Sequence, residues 1–232
     1  SFGLFNWLFI DATARNDWSS TLPAVNCSSF YPSVGASFIF SDAFKIDRNV
    51  ISFGKIRASY AYAGADTSPY RTGQTFSYSG IYNGQPLQGI STTLNNPELK
   101  PEQTRSLEVG TEVNFLNNRL GFDVTYYNSK SYDLITSVTL STSSGYSKRY
   151  MNAGRIDNKG FEFVINANPV STRNFKWNLT TNYSQNRSNV VKVSDESTSV
   201  AILTSSNVSI NLEEGRPYGV MRGRDGKRDE AG

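Results

Sequence analysis

The sequence predicts an all-β fold, an antiparallel transmembrane β-barrel of which this chain supplies part. Three observations predict it: side-chain hydrophobicity alternates with a period of two, long connections alternate with short ones, and aromatic and small polar residues abound. Only 38% of the residues are hydrophobic, yet 13% are aromatic, with 13 Tyr and 14 Phe. This composition is typical of strands that contact lipid on one face and water on the other.

The alternation is clearest in residues 105–115, where Leu107 and Val109 occupy odd positions and Glu108 and Glu112 even ones. Successive side chains of a strand point to opposite faces, so one face is apolar and the other polar. The same pattern recurs in residues 8–15, 34–40, 55–62, 119–126, 161–168 and 175–184. Each segment is about ten residues long, which suffices to cross a bilayer at a tilt. The sequence thus predicts seven strands, and an eighth near Tyr218–Arg224.

The alternation also predicts which residues face lipid and which face the lumen. The predicted lipid-facing residues are Leu107, Val109, Val113, Phe122, Val124, Phe163 and Leu179. The predicted lumen-facing residues are Glu108, Glu112, Asp123 and Asn178.

The connections between the predicted strands alternate in length. They are residues 16–30, 42–53, 64–103, 116–118, 131–155 and 169–174, and the first, third and fifth each exceed the next. Outer-membrane barrels have short periplasmic turns and longer extracellular loops. We therefore expect 64–103 and 131–155 to be extracellular, and 116–118 and 169–174 to be periplasmic. A soluble β-sandwich also alternates, so a soluble glycan-binding module remains the alternative.

Several functional classes are disfavoured. The absence of histidine removes Ser–His–Asp and Cys–His catalysis and histidine metal sites. Glu108 and Glu112 would lie about 13 Å apart along a strand, too far for a glycosidase pair. A net charge of +3 is too weak for a nucleic-acid interface. The GRDGKRDEAG segment lacks EF-hand spacing. The sequence therefore predicts no enzyme, no metal, no cofactor and no nucleic-acid partner.

Several motifs occur in an order that resembles one known family. They are FYPSVGASFIFSDAF, KIRASYAYAG, NPELKPEQTRSLEVGTEVNFLNNRLGFDVTYYNSKSYDLI and GYSKRYMNAGRIDNKGFEFVINANPV. Together they resemble the C-terminal barrel half of SusC/RagA-type TonB-dependent outer-membrane transporters. The chain departs from the family pattern at residues 17–20 and 62–66, both at loop edges, which weakens inference about substrate more than about fold.

The resemblance implies a bacterial outer-membrane protein whose complete barrel has about 22 strands. Residues 1–232 would form part of a single barrel domain, with the plug domain and the TonB-contacting segment absent from this chain. The barrel would conduct energy-dependent uptake of oligosaccharides, or of oligopeptides. Implied partners are a SusD-like surface lipoprotein, the TonB complex and outer-membrane lipid.

The long predicted loops contain the candidate substrate-binding residues. These are Tyr70, Tyr78, Tyr82, Tyr146 and Tyr150. Tyrosine rings can stack on sugars while their hydroxyls form hydrogen bonds, and binding residues are often carried by loops on a rigid scaffold. The competing interpretation is that these loops contact only the lipoprotein lid.

Two further motifs are predicted to serve the backbone. Pro97 and Pro101 fix φ and remove two donors, so they should form a rigid lead-in to a strand. Residues 152–160 contain two glycines and should provide the geometry with which a loop enters a strand.

Overall fold

The computed structural model describes residues 2–195 and 197–223, and most of them form strands. The strands are β1 Phe2–Leu4, β2 Leu8–Trp18, β3 Ser28–Phe38, β4 Ile51–Ala65, β5 Phe76–Tyr82, β6 Gln85–Ile90, β7 Thr93–Leu94, β8 Glu102–Phe115, β9 Leu120–Tyr132, β10 Ile135–Thr139, β11 Lys148–Asn152, β12 Arg155–Ser171, β13 Lys176–Lys192, β14 Ser199–Thr204, β15 Val208–Glu213 and β16 Val220–Gly223. A short helix, α1, spans Phe40–Ala43, and a 3₁₀ turn spans Thr142–Ser144. Within the described ranges, no helix is long and apolar enough to cross a membrane.

The main sheet has eight antiparallel strands in the order β1-β2-β3-β4-β8-β9-β12-β13. Its seven long strands confirm the seven predicted ones. The strand predicted near Tyr218–Arg224 is present as β16, but it does not belong to the main sheet: it pairs with β15 in a separate three-stranded sheet, and Arg224 lies outside the described residues. The actual eighth strand is β1, which is too short for alternation to reveal. Most of the GRDGKRDEAG segment also lies outside the described residues.

Antiparallel order places the connections alternately at two ends of the sheet. The loop end contains residues 19–27, 66–101 and 133–154, together with the chain that follows β13. The turn end contains residues 39–50, 116–119 and 172–175. The two longest connections share the loop end, as predicted. The first two connections depart from the predicted alternation of long and short, because the first, residues 19–27, is shorter than the second, residues 39–50.

That departure arises because the strands extend beyond their alternating segments. β2 and β3 stay paired as far as Trp18 and Ser28, where Asn16 Nδ2 donates to Ser28 Oγ at 3.0 Å. Likewise Pro169, predicted to lie in a turn, lies in β12 at a register shift between Ala167 and Val170. Proline lacks an N–H, and an irregularity in the ladder is where a sheet tolerates it.

The turn between β8 and β9 confirms the predicted asparagine turn. Leu116, Asn117 and Asn118 have φ values of 53°, 56° and 64°. Asparagine tolerates this left-handed region because its short side chain can hydrogen-bond locally. The turn therefore reverses the chain within residues 116–119.

Strand register divides the main sheet into two faces. Val109 pairs with Tyr126, which pairs with Phe161, and their side chains share what we call the apolar face. Glu112 pairs with Asp123 on the opposite, polar face. Every residue predicted to face lipid lies on the apolar face, and every residue predicted to face the lumen lies on the polar face.

The sheet is open and has no core of its own. The chain exposes 15980 Å², whereas a compact soluble monomer of 25.7 kDa would expose about 10,400 Å². Among the described residues, the buried apolar cluster lies at the loop end, in Val138, Ile156, Val190, Val193, Val200 and Leu212. A two-sheet soluble sandwich would instead bury one face of this sheet along its whole length.

Candidate functional site: the polar face and its loop rim

The polar face contains ion pairs between neighbouring strands. Arg57 donates to Asp123 through Nη1 at 2.9 Å and Nη2 at 2.7 Å, and Nη2 also donates to the Thr125 hydroxyl at 2.6 Å. Lys55 Nζ lies 2.9 Å from a carboxylate oxygen of Glu112. The bidentate pair joins β4 to β9 across the intervening strand β8. Charged groups placed like this form a polar wall, and polar walls are general to the lumens of outer-membrane barrels.

A glycine permits the contact between Arg57 and Asp123, which reaches across a whole strand. A Cβ at Gly110, on the strand between the two partners, would lie 2.9 Å from the guanidinium carbon of Arg57. The guanidinium therefore occupies the space that a side chain on β8 would fill. The sequence indicated charged residues on this face, but it did not indicate which of them pair across β8.

At the loop end, the two longest loops are joined into one structure that we call the rim, residues 66–101 and 133–154. Strand β7 of the first loop pairs in parallel with β11 of the second, through Thr93–Lys148 and Leu94–Arg149. The Arg71 guanidinium lies 4.7 Å from the centre of the Tyr150 ring, a cation–π contact between the loops. The predicted long loops are thus structured and mutually bound.

A second connection ties the rim to the main sheet. The Asn152 amide donates to the carbonyls of Lys100 at 2.7 Å and Asp133 at 3.0 Å, and its oxygen accepts from the Lys100 N–H at 2.8 Å. Leu99 is fully buried, and Pro101 is buried just before β8. The prolines at 97 and 101 therefore precede the strand as predicted. Gly154 follows with a φ of 85°, which confirms the backbone role predicted for residues 152–160.

The five predicted substrate-binding tyrosines all lie in the rim, but in different surroundings. Tyr70, Tyr78 and Tyr82 are exposed. Tyr146 and Tyr150 are half-buried, and Tyr150 already contacts Arg71. Tyr70 has a φ of 64°, and its carbonyl accepts from the Asn95 amide at 2.9 Å. The exposed group is accessible to solvent, whereas Tyr150 helps to join the two loops.

Tyr78 and Tyr82 belong to the β5–β6 hairpin, which was not predicted. Register places Gln88 and five apolar or aromatic side chains on one face of this hairpin, the five being Phe76, Tyr78, Ile81, Pro86 and Ile90. All five are exposed, Phe76 by 64% and Ile81 by 69%. We call them the hairpin patch. Exposed apolar patches are typical of interaction surfaces. The sequence did not predict the hairpin, because its alternation is short and is interrupted by a bulge between Tyr78 and Gly80.

A cavity of about 450 Å³ opens on the polar face beside the rim. Its lining includes Arg15, Asp17, Tyr31 and Asp66, and Arg15 Nε lies 2.5 Å from an Asp17 oxygen. Ser19 Oγ donates to Asp66 at 2.5 Å. The sequence did not indicate this cavity, because its residues come from β2, β3, β4 and the loop positions beside them, which are distant in the sequence and are brought together by strand pairing.

The separate three-stranded sheet β14-β15-β16 packs on the polar-face side of β12 and β13. Ile156, Val190 and Leu212 form this contact. Arg222 on β16 holds the Glu213 carboxylate of β15 with two hydrogen bonds, one of them 2.8 Å long. The hydrogen bonds from Arg222 lower the pKa of Glu213 below its ordinary value. This sheet therefore covers the polar face at the loop end of the last two strands.

An antiparallel sheet with one apolar face, one ion-paired face and a structured rim defines a wall segment of a transmembrane β-barrel. A family model described as "TonB dependent receptor-like, beta-barrel" matches residues 2–217. The chain therefore belongs to the TonB-dependent receptor-like β-barrel family. Members of this family lie in the bacterial outer membrane, so the apolar face contacts lipid.

Individual relatives agree with this assignment. TonB-dependent receptor P3 of Formosa agariphila is 35% identical over 187 residues, covering 79% of this chain and 19% of that protein. TonB-dependent receptor SusC of Bacteroides thetaiotaomicron is 28% identical over 206 residues, covering 83% and 20%. The predicted resemblance to SusC/RagA proteins is confirmed, and the alternative of a soluble module is wrong.

The fold agrees with solved structures as well. The structure titled "Structure of the RagAB peptide transporter" superposes with a TM-score of 0.83, at 24% identity, covering 93% of this chain and 24% of that one. The chain spans about a fifth of the length of the curated relatives it matches. These relatives are named as receptors and as a transporter, and none is named as an enzyme.

Proposed function

We propose that this chain is a wall segment of an outer-membrane importer that takes up oligosaccharides with energy supplied through TonB. The observation that carries the proposal is the rim, in which two loops joined by the β7–β11 pairing present exposed tyrosines beside a polar face. Family membership supports the importer class. The plug and the TonB-contacting segment would be supplied by sequence outside this chain, in keeping with the greater length of its relatives.

In this proposal the rim is extracellular, the turn end is periplasmic and the polar face lines the lumen. Protease added to intact cells should then cleave within residues 66–101 or 133–154 and leave residues 116–119 and 172–175 intact. The same protease added to lysed cells is the control for cleavable but protected sites. Cleavage of intact cells confined to the two short turns would reverse the orientation.

We assign cargo contact to the three exposed tyrosines of the rim. Replacing Tyr70, Tyr78 and Tyr82 with Ala removes rings that can stack on a sugar while leaving Tyr150 to join the loops. Tyr218→Ala is the matched control, because Tyr218 is exposed but lies outside the rim. Lost uptake by the triple variant, with normal barrel assembly and normal association of the lipoprotein lid, is expected. Loss of lid association alone would assign these loops to the partner interface. Unchanged uptake would remove the cargo role.

The hairpin patch other than Tyr78 is assigned to the SusD-like lipoprotein that would cover the barrel mouth. Its exposed apolar side chains project from the rim, where a lid would lie, and burial of such a patch stabilises an interface. Phe76→Ser with Ile81→Ser should weaken co-purification of the lipoprotein with the intact receptor. Ser77→Ala, on the opposite face of the hairpin, should leave it unchanged. Equal co-purification by both variants would contradict the assignment.

Oligopeptides are the second candidate cargo, because the structural relative is titled a peptide transporter. Uptake of a labelled oligosaccharide, measured with unlabelled oligosaccharide or oligopeptide as competitor, separates the two. Competition by peptide alone would replace sugar with peptide in the proposal.

A further inference from the structure

The main sheet has a gap at the loop end, between β3 and β4. Among the described residues, these two strands pair only along residues 33–38 and 56–61. Beyond that ladder β3 stays paired with β2 and β4 with β8, but residues 28–32 and 62–65 are not paired with each other. Pro32 lies where the ladder stops, and proline has no N–H with which to continue it. The cavity of about 450 Å³ lies in this gap, and we call it the gap cavity.

Residues 19–27, which connect β2 to β3, are fixed to the chain on the other side of the gap. Ser19 Oγ donates to the Asp66 carboxylate, just after β4, at 2.5 Å. Near the other end of the connection, Asn26 Nδ2 donates to the Leu99 carbonyl at 3.2 Å. The gap cavity is therefore held in shape by bonds within the protein. A ligand that enters a preformed site does not have to order it, which favours binding.

The Tyr31 ring forms one side of the gap cavity. A Cβ at Gly64 would lie 2.5 Å from carbons of this ring and 2.1 Å from its hydroxyl oxygen, so the ring occupies the space that a side chain at Gly64 would need. Tyr31 is half-buried, and its hydroxyl has no hydrogen-bond partner among the described residues. An aromatic ring with a free hydroxyl can lie against the apolar face of a sugar and also hydrogen-bond to it.

The gap cavity also contains carboxylate oxygens that remain available as acceptors. Ser19 and Thr21 both donate to Oδ2 of Asp66, and Oδ1 accepts no hydrogen bond from the described residues. Arg15 Nε lies 2.5 Å from Oδ1 of Asp17, which leaves Oδ2 of that carboxylate. Two carboxylates and one guanidinium give the lining a net charge of −1. Such a lining accepts hydrogen bonds from hydroxyl groups and repels anions.

We propose that the gap cavity is a saccharide subsite that binds a neutral sugar unit of the cargo and excludes sulfated or uronic units. The sugar ring lies against Tyr31, and its hydroxyls donate to the free oxygens of Asp66 and Asp17. The volume lies within the range of small-molecule sites, about 300–1,000 Å³. This inference rests on the proposed function, since it presupposes an oligosaccharide cargo, and it adds the charge of that cargo and the residues that select it.

The test measures oligosaccharide binding by the intact receptor in detergent. An array of neutral hexose oligosaccharides, each beside its sulfated counterpart, first identifies the neutral oligosaccharide that the wild type binds most tightly. Calorimetry with that probe then compares variants. Asp66→Asn keeps an oxygen that can accept from Ser19 but removes the charge, and it should raise the Kd about ten-fold. Glu98→Gln is the matched control, because Glu98 is an exposed rim carboxylate outside the gap cavity, and its Kd should equal that of the wild type.

A second variant changes the shape of the gap cavity without removing a polar group. Gly64→Ala adds a Cβ where the Tyr31 ring lies, so the ring must shift, and binding of the same probe should weaken. Gly35→Ala is its control, because a Cβ there would have ordinary van der Waals contacts. Tyr31→Phe keeps the ring and removes only the hydroxyl, so its Kd should rise less than that of Asp66→Asn.

The possible failures are distinguishable. An unchanged Kd in both Asp66→Asn and Gly64→Ala, for an oligosaccharide that the wild type binds, would overturn the subsite and leave the importer function standing. Tighter binding of the sulfated member of each pair would overturn the preference for neutral sugars. Absence of binding to every oligosaccharide by the wild type and all variants alike would overturn the oligosaccharide cargo of the proposed function, and the subsite with it.

Discussion

Replacing Val109 with arginine should destabilise the barrel by about 2–4 kcal/mol, because Val109 lies on the lipid-facing side near the bilayer midplane. The depth follows from strand geometry. Arg105 and Phe115 are ten residues apart on β8, or about 33 Å at about 3.3 Å per residue. At a tilt of about 40° this spans about 25 Å, the height of the apolar band in such barrels. The midpoint falls at residue 110, so Val109 lies within one residue of the midplane.

The control uses the neighbouring residue. Glu108→Arg introduces the same side chain at nearly the same depth but on the polar face, where water screens the charge. Its cost should be below about 1 kcal/mol. Urea unfolding of the intact receptor in phospholipid vesicles measures both, through the midpoint of the transition. Equal losses for the two variants would refute the assignment of faces, and a larger loss for Glu108→Arg would reverse it.

Three further outcomes are expected. Arg57→Ala leaves its partner Asp123 unpaired on the polar face. It should lower the free energy of unfolding by about 1–3 kcal/mol in the same urea assay, since both side chains of the pair are about one-third exposed. An unchanged free energy of unfolding would mean that solvent fully screens the pair. Gly160→Ala should lower the free energy of unfolding by about 1–3 kcal/mol, because the added Cβ would lie 2.2 Å from a backbone oxygen. Gly35→Ala is the control and should leave stability unchanged, because there is room for a Cβ at that position. An unchanged stability for Gly160→Ala would contradict this strand spacing. Because Arg222 lowers the pKa of Glu213, the ion pair stabilises β14–β16 above the ordinary carboxyl pKa, and that stability is lost as the pH falls through the lowered value. The protection factors of the amide hydrogens in residues 199–223, which compare observed exchange with the intrinsic rate at each pH, should therefore fall on acidification in the wild type but much less in Glu213→Gln. An equal fall in both would exclude this carboxyl as the cause.

The sequence predicted the part of each strand that lies within the bilayer. There the two faces meet different solvents, so residues such as Val109 and Glu108 must alternate. Beyond the apolar band both faces are wet and the alternation disappears, although the pairing of Trp18 with Ser28 continues. This is why the predicted loop 16–30 shortens to residues 19–27 in the structure.

The site was less predictable than the wall for a related reason. The tyrosines could be placed in loops by composition, but the rim depends on a two-residue parallel pairing, Thr93–Lys148 and Leu94–Arg149, that leaves no periodicity in the sequence. The contacts of Arg105 with aromatic rings were also missed. Arg105 was visible as an odd-position residue, but its position between Tyr62 and Tyr132 is set by the register of three strands.

The pairing of β7 with β11 constrains how such a receptor can diversify. An insertion between Asn95 and Pro101, or between Asp133 and Lys148, would alter the length of chain that connects the paired strands to the barrel. The partner loop would have to change length with it or lose the shared hydrogen bonds. Natural variants that bind new cargo should therefore vary the lengths of these two loops together. The β5–β6 hairpin lies outside the closed circuit of β7, β11, β8 and β9, so it can lengthen, shorten or change sequence without such compensation.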